Sequence, residues 1–221
     1  MTGAAIFDWD GTLVDSRAAL LRAWHQATEA VIGRRYPATP DEETLVFTRP
    51  GRELFAVLGG DDGPDALAAA FQAAYEPASV LVQPFPGVRE AICDLRADGI
   101  RIGVVTSKAR VRYATDARRG GLEALVEHAV CVEDTTAHKP DAAPVTHALV
   151  QLGVPPSRAV VAGDTPVDIV AGLAAGAAAI GVAWGASTPD ALADAGAAAI
   201  AYDTGQLAQL VVRQIRLEAP A

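Results

Sequence analysis

The residues with the clearest chemical potential are Asp8 and Asp10, which follow the apolar run 4–7. Such a run predicts a buried parallel strand, so both carboxylates stand at its carboxyl end, where open α/β sheets bind ligands. Two neighbouring carboxylates repel each other and lose hydration together, and a divalent cation relieves that cost. Their hard oxygens suit Mg²⁺, which completes its shell with water and phosphate. The alternative is a simple turn, because Asp10-Gly11 is also a turn signal.

Three further polar clusters follow later predicted strands. They are Thr106-Ser107-Lys108, His138-Lys139-Pro140 and Gly163-Asp164-Thr165-Pro166-Val167-Asp168. Because the carboxyl ends of parallel strands share one edge, a single pocket would hold several carboxylates, a hydroxyl and an ammonium. That set suits metal-assisted phosphoryl transfer. One carboxylate acts as nucleophile, a second as general acid and then base, and Mg²⁺ with Lys139 neutralises the transferring group.

The elements that position these clusters alternate between strand and helix. Strands are predicted at 4–7, 101–106, 129–132, 159–162, 178–182 and 198–201, with helices between and after them. The alternation predicts an α/β fold, with a Rossmann-like parallel sheet and helices on both faces. Residues 15–83 break the pattern, because they carry four successive helical patterns (16–32, 41–47, 51–58 and 65–80) without a strand. We therefore predict a core of residues 1–14 and 84–221 and an inserted all-helical domain of residues 15–83.

Composition narrows the class of protein. The 221 residues are 51% hydrophobic, which is enough for a sizeable core, and the net charge of -9 opposes a nucleic-acid partner. Cys93 and Cys131 are expected to be buried thiols in a reducing cytosol. The start lacks a signal-peptide pattern, so a cytoplasmic location is expected. Residues 169–186 carry no charge, but they are rich in Ala and Gly and are interpreted as a helix and a buried strand rather than a membrane span.

The chain resembles the haloacid dehalogenase superfamily on its phosphatase side, close to phosphoglycolate phosphatases and β-phosphoglucomutase-like members. Four motifs carry the resemblance, in order and over almost the whole chain: Asp8-x-Asp10-Gly11-Thr12, Thr106, Lys139 and Gly163-Asp164-x-x-x-Asp168. The resemblance implies that Asp8 becomes an aspartyl-phosphate and that Asp10 protonates the leaving oxygen and later activates water. It also implies that the helical block is a mobile cap, which closes over the pocket and excludes water.

The resemblance also implies two sets of binding residues. The metal set comprises Asp8, Asp10 (through its main-chain carbonyl), Asp164 and Asp168, the last supporting the shell. Thr106 and Lys139 would hold the phosphate, and Gly11, Ser107 and Arg49 are further candidates of our own for binding phosphate or substrate. Dehalogenases and phosphonatases of the superfamily lack the second Asp, so Asp10 favours cleavage of C–O–P or P–O–P bonds. Relatives often have Lys-Pro-x-Pro, whereas this chain has Lys139-Pro140 followed by Asp-Ala-Ala-Pro, which puts only the local loop geometry in question.

Each of these residues also has a plain structural interpretation. Asp164 and Asp168 suit the first turn of a helix as capping acids, and a lone lysine such as Lys139 is usually exposed. Ser107 and Lys108 are expected to cap and solvate the next helix. Arg49 either binds the non-reacting end of an anionic substrate or is a solvated surface residue.

The leading prediction is an Mg²⁺-dependent phosphatase for a small phosphorylated metabolite resembling phosphoglycolate. A phosphosugar mutase is the nearest alternative, and a non-enzymatic phospho-receiver module, which also groups acids with Thr and Lys, belongs to a different class. Receivers are shorter and lack a helical insert. Phosphoglycolate, pyrophosphate, nucleotides and sugar phosphates all stay open as substrates, and the sequence carries no signal of oligomeric state.

Overall fold

The computed structural model describes residues 3–60 and 63–217. The chain forms two compact units, one from Met1–Asp15 with Pro84–Ala221 and the other from Ser16–Gln83. The strands are β1 (Ala4–Phe7), β2 (Val14–Asp15), β3 (Gln83–Pro84), β4 (Arg101–Val105), β5 (His128–Val130), β6 (Ala159–Gly163), β7 (Ala178–Val182) and β8 (Ala199–Ala201). The α-helices are α1 (Arg17–Ile32), α2 (Pro40–Thr48), α3 (Gly51–Gly59), α4 (Pro64–Ala78), α5 (Val88–Ala97), α6 (Arg110–Arg119), α7 (Ala143–Leu152), α8 (Pro166–Ala174), α9 (Pro189–Asp194) and α10 (Thr204–Leu217).

The first unit is built on a six-stranded parallel sheet of order β5-β4-β1-β6-β7-β8. From β1 the chain adds β4 and β5 on one side, and β6, β7 and β8 on the other. Strand order therefore reverses beside β1, and this is the point where α/β sheets open a ligand crevice at their carboxyl ends. The predicted α/β class is confirmed.

Alternate residues of the strands explain why helices cover the sheet. Ala4 and Ile6 of β1 join a buried cluster that includes Val145 and Leu149 of α7, while neighbouring strand residues point to the opposite face. Helices α5 and α10 pack together, and both contact strands of the sheet. All four residues of β1 are buried, which fits the continuous apolar run of a strand covered on both faces.

Several local predictions need correction. Cys93 is exposed, not buried, because α5 buries the face formed by Val88, Ala91, Ile92 and Leu95, and position 93 lies off that stripe. Cys131 is buried as expected. The strand expected at 129–132 ends at Val130, since Val132–Asp134 turn into a 3₁₀ helix. The short helix α9 was not predicted.

The second unit has its own aromatic core. The buried Trp24 lies with its ring centroid 5.0 Å from those of Phe55 and Phe71, and 6.2 Å from that of Tyr36. The hydroxyl of Thr28 accepts a hydrogen bond from the Tyr36 amide (3.0 Å), which fixes the chain after α1. Within residues 3–60 and 63–217, no helix has the length and apolar character needed to cross a membrane.

Candidate active site

The loop after β1 carries the first two carboxylates and is held by the neighbouring strand. The Asp8 amide donates to the Ala162 carbonyl of β6 (2.9 Å), so strand pairing continues through Asp8. The chain then turns, with the Gly11 amide donating to the Val14 carbonyl (2.9 Å). Asp8 is buried and the Asp10 side chain is 24% exposed. The Asp8 carboxylate is thus fixed in the interior, whereas the Asp10 carboxylate is partly exposed to solvent.

The turn that the sequence offered as an alternative at Asp10-Gly11 is present within the site, and it brings the backbone against Asp164. Gly11 has φ +83°, and a Cβ built there would lie 2.2 Å from Asp164 Oδ2. Thr12 is buried and donates its hydroxyl to Asp164 Oδ1 (3.1 Å), while the Ala186 amide donates to Oδ2 (2.8 Å). Both oxygens of Asp164 are therefore oriented by the protein.

Lys139 lies at the centre of the acidic groups. Its Nζ donates to Asp8 Oδ1 (2.6 Å), to Asp168 Oδ1 (2.5 Å) and to the Val105 carbonyl (3.1 Å). The side chain is only 6% exposed, so the surface alternative for this lysine is wrong. Burial disfavours the ammonium, but the charges of Asp168 and Asp8 outweigh it and raise the pKa of Lys139 above its usual value.

Asp168 serves both as helix cap and as site residue. It stands in the first turn of α8, where its Oδ2 accepts from the Thr165 amide (3.1 Å) and the Thr165 hydroxyl (2.6 Å). Its other oxygen holds Lys139. The capping interpretation of the sequence is therefore accurate for Asp168, and it is compatible with a place in the site.

Asp8, Asp164 and Asp168 form a buried triad whose ligand atoms lie within 4.8 Å of one another. Burial raises the pKa of Asp8 well above its ordinary value, and repulsion from Asp168 and Asp164 adds to the effect while Lys139 opposes it. Burial and the charge of Asp168 likewise raise the pKa of Asp164 to about 7. One ammonium thus leaves an excess of negative charge on hard oxygens, which fits a divalent cation.

Asp10 lies outside that triad, and its carboxylate is bound by Lys108. Lys108 Nζ donates to Asp10 Oδ1 (2.6 Å) and forms an ion pair with Asp116 Oδ2 of α6 (2.8 Å). The Lys108 side chain is 2% exposed and that of Asp116 is fully buried. The prediction that Lys108 solvates the next helix is therefore wrong. One signal was present in the sequence: Lys108 and Lys139 are the only two lysines of the chain, and every other Lys or Arg position is arginine.

The other residues predicted to bind phosphate or substrate differ from one another in burial: Thr106 is buried, whereas Ser107 and Arg49 are exposed. Thr106 is buried directly after β4, and its hydroxyl accepts from the Lys108 amide (3.1 Å). Ser107 is exposed, and α6 begins after Ala109 with no side-chain cap, so Ser107 does not cap that helix. Arg49 is exposed at the carboxyl end of α2 in the helical unit, where its amide donates to the Leu45 carbonyl (3.0 Å).

Comparison with known proteins bears on the chemistry of this arrangement. Residues 5–182 match the Haloacid dehalogenase-like hydrolase family. Pyrophosphatase PpaX of Bacillus velezensis is 30% identical over 182 residues, which cover 82% of this chain and 83% of that protein. The corresponding protein of Bacillus pumilus is also 30% identical, with coverages of 85% and 86%.

Solved structures show the same fold. A hydrolase from Pseudomonas syringae superposes with a TM-score of 0.83 at 23% identity, covering 96% of this chain and 98% of its own. A provisionally named β-phosphoglucomutase from Thermotoga maritima gives a TM-score of 0.77 at 25% identity, with coverages of 96% and 99%.

Proposed function

This chain belongs to the Haloacid dehalogenase-like hydrolase family and is a phosphatase of that family, and we propose that it uses Mg²⁺ and an aspartyl-phosphate on Asp8 to hydrolyse a small phosphorylated metabolite. One observation carries the proposal. Asp8 is held by Lys139 Nζ at 2.6 Å, inside a buried triad with Asp164 and Asp168. A carboxylate fixed beside an ammonium and a cation-binding cluster is what phosphoryl transfer to a carboxylate needs.

The triad fits a divalent cation by its charge and by its oxygen ligands. Asp8 and Asp164 would hold Mg²⁺ together with the Asp10 carbonyl, while Asp168 supports the shell through Lys139 and Thr165. When bound, the cation neutralises charge on the phosphoryl oxygens and lowers the pKa of the buried acids.

The chain's own residues account for both halves of the reaction. One Asp8 oxygen forms a bond to phosphorus as the bond from phosphorus to the leaving oxygen breaks, and Asp10 transfers its proton to that oxygen. Asp10, now a carboxylate, then accepts a proton from water as the water oxygen attacks phosphorus. The Asp8–phosphorus bond breaks, so phosphate is released and both carboxyl groups return to their starting states.

For the substrate, two compounds deserve the first tests. Two relatives at 30% identity are named pyrophosphatases, which supports inorganic pyrophosphate. The resemblance to phosphoglycolate phosphatases supports a small phosphomonoester resembling phosphoglycolate. Both are compact anions whose leaving oxygen accepts a proton, and Asp10 would donate that proton as general acid.

The proposal is tested by phosphate release from pyrophosphate, phosphoglycolate, a sugar phosphate and a nucleotide. We expect release with Mg²⁺, with no turnover in EDTA or in Asp8→Asn, because the amide is a poor nucleophile. Thermal unfolding of Asp8→Asn checks that the variant is folded. Stable phosphorylation of Asp8 without turnover would instead support a receiver module and overturn the proposal.

A phosphosugar mutase is the second candidate, favoured by the resemblance in fold and sequence to the Thermotoga maritima protein. A mutase returns the phosphoryl group to a sugar and so releases little free phosphate. Conversion of a sugar 1-phosphate to its 6-phosphate, followed by ³¹P NMR, separates the two reactions.

We further propose that Arg49 binds the non-reacting end of the substrate. Its exposed guanidinium offers a fork of donors that suits a carboxylate or phosphate. Arg49→Ala is expected to raise KM by about 10-fold, on the scale of a charged hydrogen bond, and to leave kcat within about 2-fold. Arg22→Ala, another exposed arginine of the helical unit, is the control. An unchanged KM in Arg49→Ala would remove the proposal.

A further inference from the structure

We propose that Lys108, braced by Asp116, is a positioning residue that fixes the Asp10 carboxyl group for proton transfer to the leaving oxygen. The inference rests on the proposed function, because it assigns a role within that reaction. Lys108 Nζ lies 2.6 Å from Asp10 Oδ1 and 2.8 Å from Asp116 Oδ2. With Oδ1 engaged by the ammonium, Oδ2 is the oxygen that carries the proton to the substrate.

Burial separates this role from direct substrate binding. The Lys108 side chain is 2% exposed and Asp116 is fully buried, whereas the Asp10 side chain is 24% exposed. A phosphate group has access to Asp10 but not to the ammonium behind it. Lys108 therefore acts on the reaction through Asp10.

The backbone of Lys108 is fixed on both sides. Its amide donates to the Thr106 hydroxyl (3.1 Å), and its carbonyl accepts from the Val132 amide (3.2 Å). The flexible side chain thus starts from an anchored point and ends between two carboxylates. This arrangement limits the positions that Asp10 adopts, and a small displacement of a catalytic group is costly in rate.

Helix α6 provides the brace from one face. Asp116 and Tyr113 are three residues apart, so they lie on the same side of the helix. Tyr113 packs edge-on against the buried Trp9, with ring centroids 4.8 Å apart, and Trp9 stands between the two motif carboxylates in sequence. The same helix therefore holds the β1 loop by an aromatic contact and by the Asp116–Lys108 pair.

The composition of the chain supports a specific need for lysine here. Apart from Lys108 and Lys139, all Lys and Arg residues of the sequence are arginines. Each of the two lysines bridges a motif carboxylate and a more buried acid: Lys139 joins Asp8 to Asp168, and Lys108 joins Asp10 to Asp116. An ammonium is a compact point charge that fits between two converging carboxylates, whereas guanidinium is a planar fork. The loop after β1 thus has one bridging lysine for each of its catalytic acids.

The test compares leaving groups in Lys108→Met. An alkyl phosphate needs a proton on its leaving oxygen, whereas p-nitrophenyl phosphate has a leaving group that needs little help. Because kcat/KM covers steps only up to loss of the alcohol, we expect it to fall by about 100-fold for the alkyl ester and by less than about 5-fold for the aryl ester. For the aryl ester, kcat and KM should fall together, since the later attack of water on Asp8-phosphate also needs Asp10.

Lys108→Met leaves the buried Asp116 carboxylate without its ammonium partner, which could destabilise the fold. A second variant controls for that effect. The double variant Lys108→Met/Asp116→Asn removes one positive and one negative charge, and it is expected to show the same dependence on leaving group. Leu149→Ala is the control for general destabilisation, since it opens a cavity in the apolar core and removes no polar group of the site. An equal loss for both esters, or no loss in either variant, overturns the proposal.

Crystal structures of the wild type and the double variant give a readout that does not depend on turnover. We expect the Asp10 side chain to change its torsion angles in the variant while the Asp8–Lys139 contact is preserved. An Asp10 carboxylate that keeps its place without Lys108 overturns the positioning role, whatever the activity. If the wild type releases no phosphate from any ester, the proposed function fails, and the structures alone then decide whether Lys108 positions Asp10.

Discussion

At the scale of single residues, the site depends on how closely the backbone approaches Asp164. Gly11 contributes through both its conformation and its size. Its φ of +83° is strained for other residues, and a Cβ would lie 2.2 Å from Asp164 Oδ2. The glycine of the first motif thus gives the second acid of the triad the space that it occupies.

Gly11→Ala is expected to lower metal-dependent phosphate release by at least about 10-fold, because a displaced Asp164 loses its alignment for the cation. It should also destabilise the fold by about 1–2 kcal/mol from the left-handed backbone alone. Steady-state assays over a range of Mg²⁺ concentrations and thermal unfolding measure the two effects.

Gly99→Ala is the matched control. Gly99 has φ +76°, but nothing lies within 4 Å of the position of its Cβ. This variant should bear the same backbone cost and keep its activity. Equal activity in the two variants would show that contact with Asp164 is unimportant.

At the scale of elements, the sequence predicted the placement of acidic residues correctly where they directly follow a strand. The acids at positions 8, 10, 164 and 168 could be found because each follows an apolar strand, and strand ends of a parallel sheet meet at one edge. Lys108 was wrongly predicted to be solvated. Its charge is buried because it pairs with Asp116, which lies eight residues later in α6. Cys93 was misjudged although the apolar stripe of α5 already excluded it from the core. An ion pair such as Lys108–Asp116 is not visible in a local sequence pattern, whereas the position of Cys93 relative to the apolar stripe of its own helix is.

The amino end of α8 joins helix stability to the site. Thr165→Val removes the hydroxyl that donates to Asp168 Oδ2 at 2.6 Å. We expect a loss of about 1 kcal/mol in unfolding free energy, as for other helix caps, together with a clear fall in kcat because Asp168 also holds Lys139. Chemical denaturation and phosphate release measure the two effects.

Thr188→Val supplies the comparison for Thr165. Thr188 caps α9 by accepting from the Ala191 amide (3.3 Å), and the pair lies outside the acidic triad. Loss of this cap should lower stability by a similar amount and leave kcat unchanged. A fall in kcat of the same size in both variants would mean that it reflects stability rather than the position of Asp168.

At the scale of the whole molecule, the fold keeps an acidic site inside an acidic protein. The net charge is -9, and the residues behind it include the three carboxylates of the triad, which burial makes costly to ionise. The pKa of Asp164 is raised to about 7, whereas an unfolded Asp has a pKa of about 3.9. The folded metal-free protein therefore binds this proton more tightly than the unfolded chain does, and the contribution of Asp164 to stability falls as pH rises from about 4 to about 7.

Calorimetric unfolding of the wild type and Asp164→Asn from pH 5 to pH 8 tests this coupling, because the amide imitates the protonated acid at every pH. Without metal, the wild type should already unfold at a somewhat lower temperature than Asp164→Asn at pH 5, and the difference should widen until about pH 7. Mg²⁺ should raise the Tm of the wild type more at pH 8 than at pH 5, since a cation binds the ionised acids and competes with the proton. It should have little effect on Asp164→Asn. An Mg²⁺-induced shift that is independent of pH, or equal in the two proteins, would show that the cation binds elsewhere than at the triad.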